Sequence, residues 1–181
     1  MAASVKQLST FIAIACVIGL ALSLNSYYLA ITLEEDDEYE AWCDISGYSS
    51  CTKVLQSEYS SGFGLIAPYL GNDSFLNVSN GIFGLLFYTI ELILGFSTSS
   101  LTVKAQAVLL FLSNAVLAWL AYVLLFEIQE LCIICIGLYF TNVIITVLTI
   151  VRFRRLQQAK PKPSSGTKKK APAKKGRSKK D

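Results

Sequence analysis

The sequence has no histidine and, apart from Met1, no methionine. These two absences exclude His-ligated metal sites, Ser-His-Asp triads, Cys-His dyads, HExxH proteases and thioether ligation. Charge is scarce as well. Only 16% of the 181 residues are charged, against roughly 25% in ordinary soluble chains, while 53% are apolar. The length suits a single domain.

Some long stretches carry no charge at all. Residues 8–33, 105–126 and 131–151 have none, and 74–103 has only Glu91. A helix needs about 20 apolar residues to cross the hydrocarbon core. The runs therefore predict an all-α chain of four transmembrane helices, near 8–32, 80–97, 103–126 and 131–152. A soluble core of this size could not bury four such helices on all sides. The first run is longer than the ~7–15 residues of a signal-peptide core and is followed by no convincing small-x-small site, so it reads as a retained helix. Glu91 is expected near the cytosolic end of the second helix, snorkelling or hydrogen-bonded, without a catalytic role.

The net charge of +3 conceals two opposed blocks. The tail after Val151 holds 13 of the 16 Lys and Arg residues, which places it in the cytosol by the positive-inside rule. Four crossings return the N-terminus, with Lys6, to the same side, together with the turn 95–104. The segments 33–79 and 127–130 then face the other way. They hold Glu34, Glu35, Asp36, Asp37, Glu38, Glu40, Asp44, Glu58, Asp73, Glu127 and Glu130 against Lys53 alone. The expected organisation is a membrane domain over 1–155, with a non-cytosolic loop over 33–79, followed by a disordered basic tail over 156–181. That tail serves topology and solvation or touches anionic lipid. No folded domain accompanies it, so a nucleic-acid role is not expected.

Of the five cysteines, Cys16 lies midway along the first helix and reads as a small packing residue. The other four, Cys43, Cys51, Cys132 and Cys135, fall on the acidic, non-cytosolic face, where disulfides persist. Cys132-Ile133-Ile134-Cys135 is a C-x-x-C motif at a helix start. Its i, i+3 spacing puts both sulfurs on one helical face, and the helix dipole favours a thiolate there. Two pairs on one side can pass electrons by thiol–disulfide exchange. Two static disulfides, or a four-cysteine zinc site with an unusual C-x7-C half, are the alternatives. Continuing the cysteine stripe down the helix reaches Tyr139 and Asn142. Polar groups at that depth face a bundle interior, although Asn142 could instead make a helix–helix hydrogen bond. The arrangement suits an apolar substrate with carbonyl oxygens. A quinone fits, since its two-electron capacity matches one dithiol.

These pieces resemble the vitamin K epoxide reductase family. The matching residues are Cys43-Asp44 with Cys51, Gly62-Phe63-Gly64-Leu65, the run Asn77 to Gly84, Phe87-Tyr88, and Cys132 to Cys135 followed by Tyr139. The similarity covers roughly residues 10–155. It implies a four-helix bundle of the endoplasmic reticulum membrane that reduces vitamin K epoxide to the quinone and the quinone to the hydroquinone. It implies Cys135 as the nucleophile and Cys132 as its resolving partner. Cys51 would exchange with Cys132, and Cys43 would take electrons from a lumenal thioredoxin-fold protein. Asn80 and Tyr139 would hydrogen-bond the substrate oxygens, and Phe83, Phe87, Val54, Leu120 and Ile128 would line an apolar pocket under a cap around Gly62–Asn80. No tightly bound cofactor and no metal are implied, and a monomer is expected. Where many animal members carry Arg-Trp-Gly-Arg, this chain has Glu58-Tyr59-Ser60-Ser61, and Leu55 stands where an aromatic is usual. Two rival functions are a quinone-dependent oxidase that generates disulfides in lumenal partners and a non-enzymatic membrane protein with two inert disulfides. Asn72-Asp73-Ser74 and Asn77-Val78-Ser79 also match the N-glycosylation acceptor pattern.

Overall fold

A computed structural model of the chain describes residues 4–36, 38–45, 49–97 and 99–158. Asp37 and the basic tail beyond residue 158 lie outside the described residues. The described chain is helical. Its helices are α1 (Val5–Glu35), α2 (Cys51–Leu55), α3 (Ile66–Leu70), α4 (Asn80–Phe96), α5 (Ser100–Tyr122) and α6 (Ile133–Gln158). Helix α5 runs on as a π-helical segment, Val123–Ile128. Helix α1, the continuous stretch Leu101–Ile128 and α6 are each long and apolar enough to cross a membrane, which marks a membrane protein. Helix α4 is apolar but has 17 residues.

The helix ends differ from the sequence expectation for local reasons. Helix α1 starts earlier because Ser4 and Gln7 form a capping box, and it runs three residues past 32 before Asp36 turns extended. Helix α6 starts later, after Cys132, and continues to Gln158 rather than ending near 152. The first turns of the expected tail are therefore helix. The segment expected as a loop over 33–79 contains α2, α3 and two 3-10 turns, Glu58–Ser60 and Gly62–Gly64.

Two different devices hold the long helices together. Helices α1 and α4 meet through small residues. A Cβ on Gly81 would lie 2.8 Å from the Tyr27 amide nitrogen, one on Gly84 would collide with Ser23, and one on Gly19 would collide with the Tyr88 ring. The positions 19, 23 and 27 on α1 thus meet 88, 84 and 81 on α4, antiparallel. Small residues let the backbones approach where lipid gives no hydrophobic drive to associate. Helices α5 and α6 meet instead through hydrogen bonds. Asn142 donates to Ser113 Oγ at 2.6 Å, and Asn114 donates to Thr146 Oγ1 at 2.9 Å.

Glu91 is hydrogen-bonded, as expected, but it does not snorkel. Glu91, Gln106 and Arg152 are all fully buried. Gln106 donates to Glu91 Oε2 at 2.9 Å and accepts from Arg152 at 3.2 Å, and Arg152 also donates to the Ser97 carbonyl. A neutral amide thus bridges an acid on α4 to a base on α6. Removing one member of such a buried network leaves the other charges uncompensated, at roughly 3–5 kcal/mol. Gln106→Leu is expected to lower the melting temperature of the detergent-solubilised protein by several degrees, whereas Leu101→Gln, on the exposed face of α5, should leave it within about 1 °C. Equal melting temperatures for wild type and Gln106→Leu would contradict the bridge.

Candidate functional site

Cys43 and Cys51 form a disulfide with a Cα–Cα separation of 5.9 Å. Short polar contacts fold the chain around it. The Ala41 amide donates to Thr52 Oγ1 at 3.0 Å, and the Thr52 amide donates to Asp44 Oδ1 at 3.1 Å. Ser50 caps α2 by accepting from the Lys53 amide. This small unit is then fixed to the distant end of the chain. Ser49 Oγ and the Ser50 amide both donate to the Leu131 carbonyl, at 2.8 and 2.9 Å, and Lys53 pairs with Glu130. The consequence is that Cys43, Cys51 and Cys132 are buried in one cluster, with Cys135 and Tyr139 packed against it.

Cys132 and Cys135 are free thiols. Cys132 stands just outside α6 and serves as its first acceptor. The Cys135 amide donates to Cys132 Sγ at 3.2 Å, and the Ile136 amide donates to the Cys132 carbonyl at 2.9 Å. The hydrogen bond from the Cys135 thiol lowers the Cys132 pKa below that of an ordinary thiol. Backbone hydrogen bonds from Cys135 and Ile134 add to this, while burial and the nearby Asp44 carboxylate oppose it. The sulfur nearest the outer disulfide is therefore the one with thiolate character. The outer pair's sulfurs are bonded to each other. Although Cys43, Asp44 and Cys51 lie within 4.8 Å of one another, that pair cannot supply two thiolates to a zinc ion.

Beside the cysteines lies a largely apolar cavity of about 470 Å³. Each residue that the sequence suggested for substrate contact lines it. Asn80, Phe83 and Phe87 come from α4, Leu120 from α5, Val54 from α2, Ile128 from the π-helical segment and Tyr139 from α6. Cys135 is in the wall, whereas Cys43, Cys51 and Cys132 stand behind it. Asn142 also lines the cavity, and it makes the helix–helix hydrogen bond that was its alternative reading, to Ser113. The Tyr139 hydroxyl makes no hydrogen bond among the described residues. The Asn80 side chain is more occupied. Its Oδ1 accepts from the Phe63 amide at 2.9 Å, and its Nδ2 donates to the Tyr59 carbonyl at 2.7 Å, which leaves one amide hydrogen for a ligand.

Those two bonds reveal residues that sequence reasoning left without a role. Phe63 has φ 59°, a left-handed conformation that is rare for an aromatic residue, and it lies between Gly62 and Gly64, both also at positive φ. Four contacts hold it there. Its amide goes to Asn80, its carbonyl accepts from Trp119 Nε1 at 3.1 Å, its ring meets Phe83 at 4.7 Å between centroids, and Ser61 pairs with Ser79 beside it. Phe63, Tyr59 and Ser60 close one end of the cavity. The Gly-Phe-Gly run could have signalled a positive-φ turn, but nothing in the sequence ties it to Trp119. Chemically, the site offers a thiol at the wall of a largely apolar chamber, a free phenol one helical turn further along α6, and a second thiol and a disulfide in the adjoining buried cluster.

The model of the Vitamin K epoxide reductase family matches residues 10–150. The chain is 39% identical over 151 residues to Vitamin K epoxide reductase complex subunit 1 of Mus musculus, covering 81% of this chain and 89% of that protein. The same subunit from Rattus norvegicus is 38% identical over 151 residues, with the same coverage.

The thiol arrangement predicts a pH profile. Alkylation of the Cys132/Cys135 pair, followed by mass spectrometry with the outer disulfide intact, should rise with pH at a midpoint below that of a free cysteine thiol. In Cys135→Ala the donor to Cys132 is lost and the midpoint should move up. An unchanged midpoint would mean that the Cys135 thiol does not stabilise the Cys132 thiolate.

Proposed function

The chain belongs to the vitamin K epoxide reductase family, and on that footing we propose that it reduces vitamin K 2,3-epoxide and vitamin K quinone within a membrane, using electrons relayed through its two cysteine pairs. One observation carries this reading. Cys135 lines the apolar cavity while its partner Cys132 is buried in one cluster with the Cys43–Cys51 disulfide. A naphthoquinone or its epoxide has the shape and polarity for such a chamber: an apolar body and two carbonyl acceptors.

In the proposed step the substrate lies with its carbonyls toward Tyr139 and the remaining amide hydrogen of Asn80. The Cys132 thiolate takes the proton of the Cys135 thiol that is hydrogen-bonded to it, the Cys135 sulfur attacks the ring, and the charge that develops on oxygen is stabilised by those donors. Cys132 then attacks the Cys135 sulfur. The carbon–sulfur bond breaks and a Cys132–Cys135 disulfide forms. Two electrons and two protons of the dithiol have passed to the quinone, giving the hydroquinone. With the epoxide, the same two electrons and two protons release the epoxide oxygen as water and leave the quinone. A lumenal thioredoxin-fold dithiol then reduces the Cys43–Cys51 disulfide through Cys43, the freed Cys51 thiolate attacks Cys132 and releases Cys135 as a thiol, and Cys43 attacks Cys51, which re-forms the outer disulfide and returns Cys132 to the thiol. Quinone or epoxide is thus the substrate, and the redox-active disulfides serve in place of a tightly bound cofactor.

The membrane arrangement follows the same reading. Helix α4, about 25 Å long at 1.5 Å per residue, completes a fourth crossing when its flanking residues are added to span a core of about 30 Å. The domain over 1–155 then sits in the endoplasmic reticulum membrane as a monomer. Its cysteines and the cap around Gly62–Asn80 face the lumen, and both termini and the basic tail over 156–181 face the cytosol. If epoxide is not opened but quinone still turns over, the protein is instead a quinone-dependent oxidase that forms disulfides in its lumenal partners.

The test is turnover of epoxide and quinone by purified protein with a small dithiol donor. Cys135→Ala should abolish both activities. Tyr139→Phe should lower turnover by about tenfold or more with an unchanged melting temperature, since loss of an oxyanion donor costs up to ~2.7–4 kcal/mol. Asn80→Ala should lower turnover and also expose the turn around Phe63 to limited proteolysis. Full activity in Cys135→Ala would overturn the proposal.

A further inference from the structure

Resting on that reading of the outer disulfide, we infer that Trp42 and its acidic surround form the docking surface for the protein that reduces Cys43–Cys51. That donor carries its reactive cysteine beside an apolar surface rimmed with Lys and Arg. Cys43 and Cys51 are buried, yet the residue before Cys43 is a tryptophan left 66% exposed. Exposed tryptophan is a costly surface choice and, at interfaces, a frequent anchor. Two further exposed apolar side chains stand on the supports of the same disulfide. Ile45 pairs with Ser49 through two backbone hydrogen bonds, and Ser49 in turn holds the Leu131 carbonyl next to Cys132. The redox cysteines are thus covered by a thin polar framework whose outward face is apolar.

Charge selects the occupant. Glu34, Glu35, Asp36, Glu38 and Glu40, all exposed, lead directly into Trp42. Lys53, the one base among the described residues of 33–79 and 127–130, is already paired with Glu130. A stretch of this sign is repelled by anionic headgroups and attracts a basic protein surface, raising its rate of encounter. The chemistry then balances within the complex. A donor thiolate attacks Cys43 Sγ, breaking the Cys43–Cys51 bond and releasing Cys51 as a thiolate that takes up a proton. The donor's second cysteine attacks the mixed disulfide, leaving the donor oxidised and Cys43 as the free thiol.

The experiment follows reduction of Cys43–Cys51 itself, by mass-tagging of the newly exposed thiols in the full chain in nanodiscs. Failure of the quinone chemistry and failure of this surface are thereby read separately. The probes are dithiothreitol, a small thioredoxin-fold dithiol with a basic rim, and the same donor with that rim changed to acid. Wild type should be reduced much faster by the basic donor than by the acidic one, with the difference shrinking as salt rises. Trp42→Ala should slow reduction by the basic donor about tenfold or more, and Glu38→Gln with Glu40→Gln should lessen its salt dependence. Both variants should react with dithiothreitol at the wild-type rate. Unchanged reduction of Trp42→Ala by the basic donor would overturn the inference, as would an equal slowing with dithiothreitol. Quenching of the Trp42 fluorescence by brominated lipid, taken as the difference between wild type and Trp42→Phe, would assign the side chain to the membrane interface and overturn it too.

Discussion

Two hydrogen bonds to one carbonyl join the halves of the redox site. Ser49 Oγ and the Ser50 amide share the Leu131 oxygen across a sequence separation of about eighty residues. Without them the outer disulfide would be part of a polar segment tethered only at its ends. With them, Cys51 and Cys132 are buried in one cluster, and Cys132 is spaced from Cys135 by the first turn of α6. The Ser49 bond is part-buried, and a backbone acceptor left unpaired away from water is expensive. The same polar contacts that assemble the site therefore also resist its opening.

The cavity depends on a difference between the two helix pairs. Helix α4 is drawn tightly onto α1 by Gly81 and Gly84, which removes side-chain volume from that contact and turns the larger α4 residues, Phe83 and Phe87, toward the chamber. Helix α5 is held to α6 by spaced hydrogen bonds at Ser113, Asn114 and Gln106. Hydrogen bonds fix a separation without demanding continuous apolar packing. An apolar space therefore remains between α4, α5 and α6, and the strained turn at Phe63 covers it. Phe63 tolerates its left-handed backbone because α4 engages its amide and its ring and α5 engages its carbonyl.

Much of this was legible in the chain. The long uncharged runs gave the three long helices, and the shorter run with Glu91 gave α4. Cys135, Tyr139 and Asn142 fell on one face because helical spacing alone places i, i+4 and i+7 together. Asn80, Phe83 and Phe87 could be named from family resemblance, and they line the same wall. The double duty of Asn80 was not legible, because its partners are two backbone groups whose positions only the folded cap defines. The burial of Glu91 was hidden for a similar reason. A lone acid in an apolar run reads equally as snorkelling or hydrogen-bonded until Gln106 and Arg152, from two other helices, form the buried network with it.

The sequence by itself determined what repeats at short range: which stretches are helical and apolar, where acids and bases separate, and which cysteines share a helical face. These depend on side-chain type and spacing, which a linear chain displays directly. Only the tertiary structure decided which pairs meet. It brought Cys51 and Cys132 into one buried cluster, gave Phe63 its left-handed turn, left Trp42 outside the core, and joined Glu91 to Arg152 through Gln106. Each of these rests on a hydrogen bond or contact between residues distant in the chain. Its worth is set by burial and by the alternative of an unsatisfied group, and both are properties of the packed bundle rather than of any one segment.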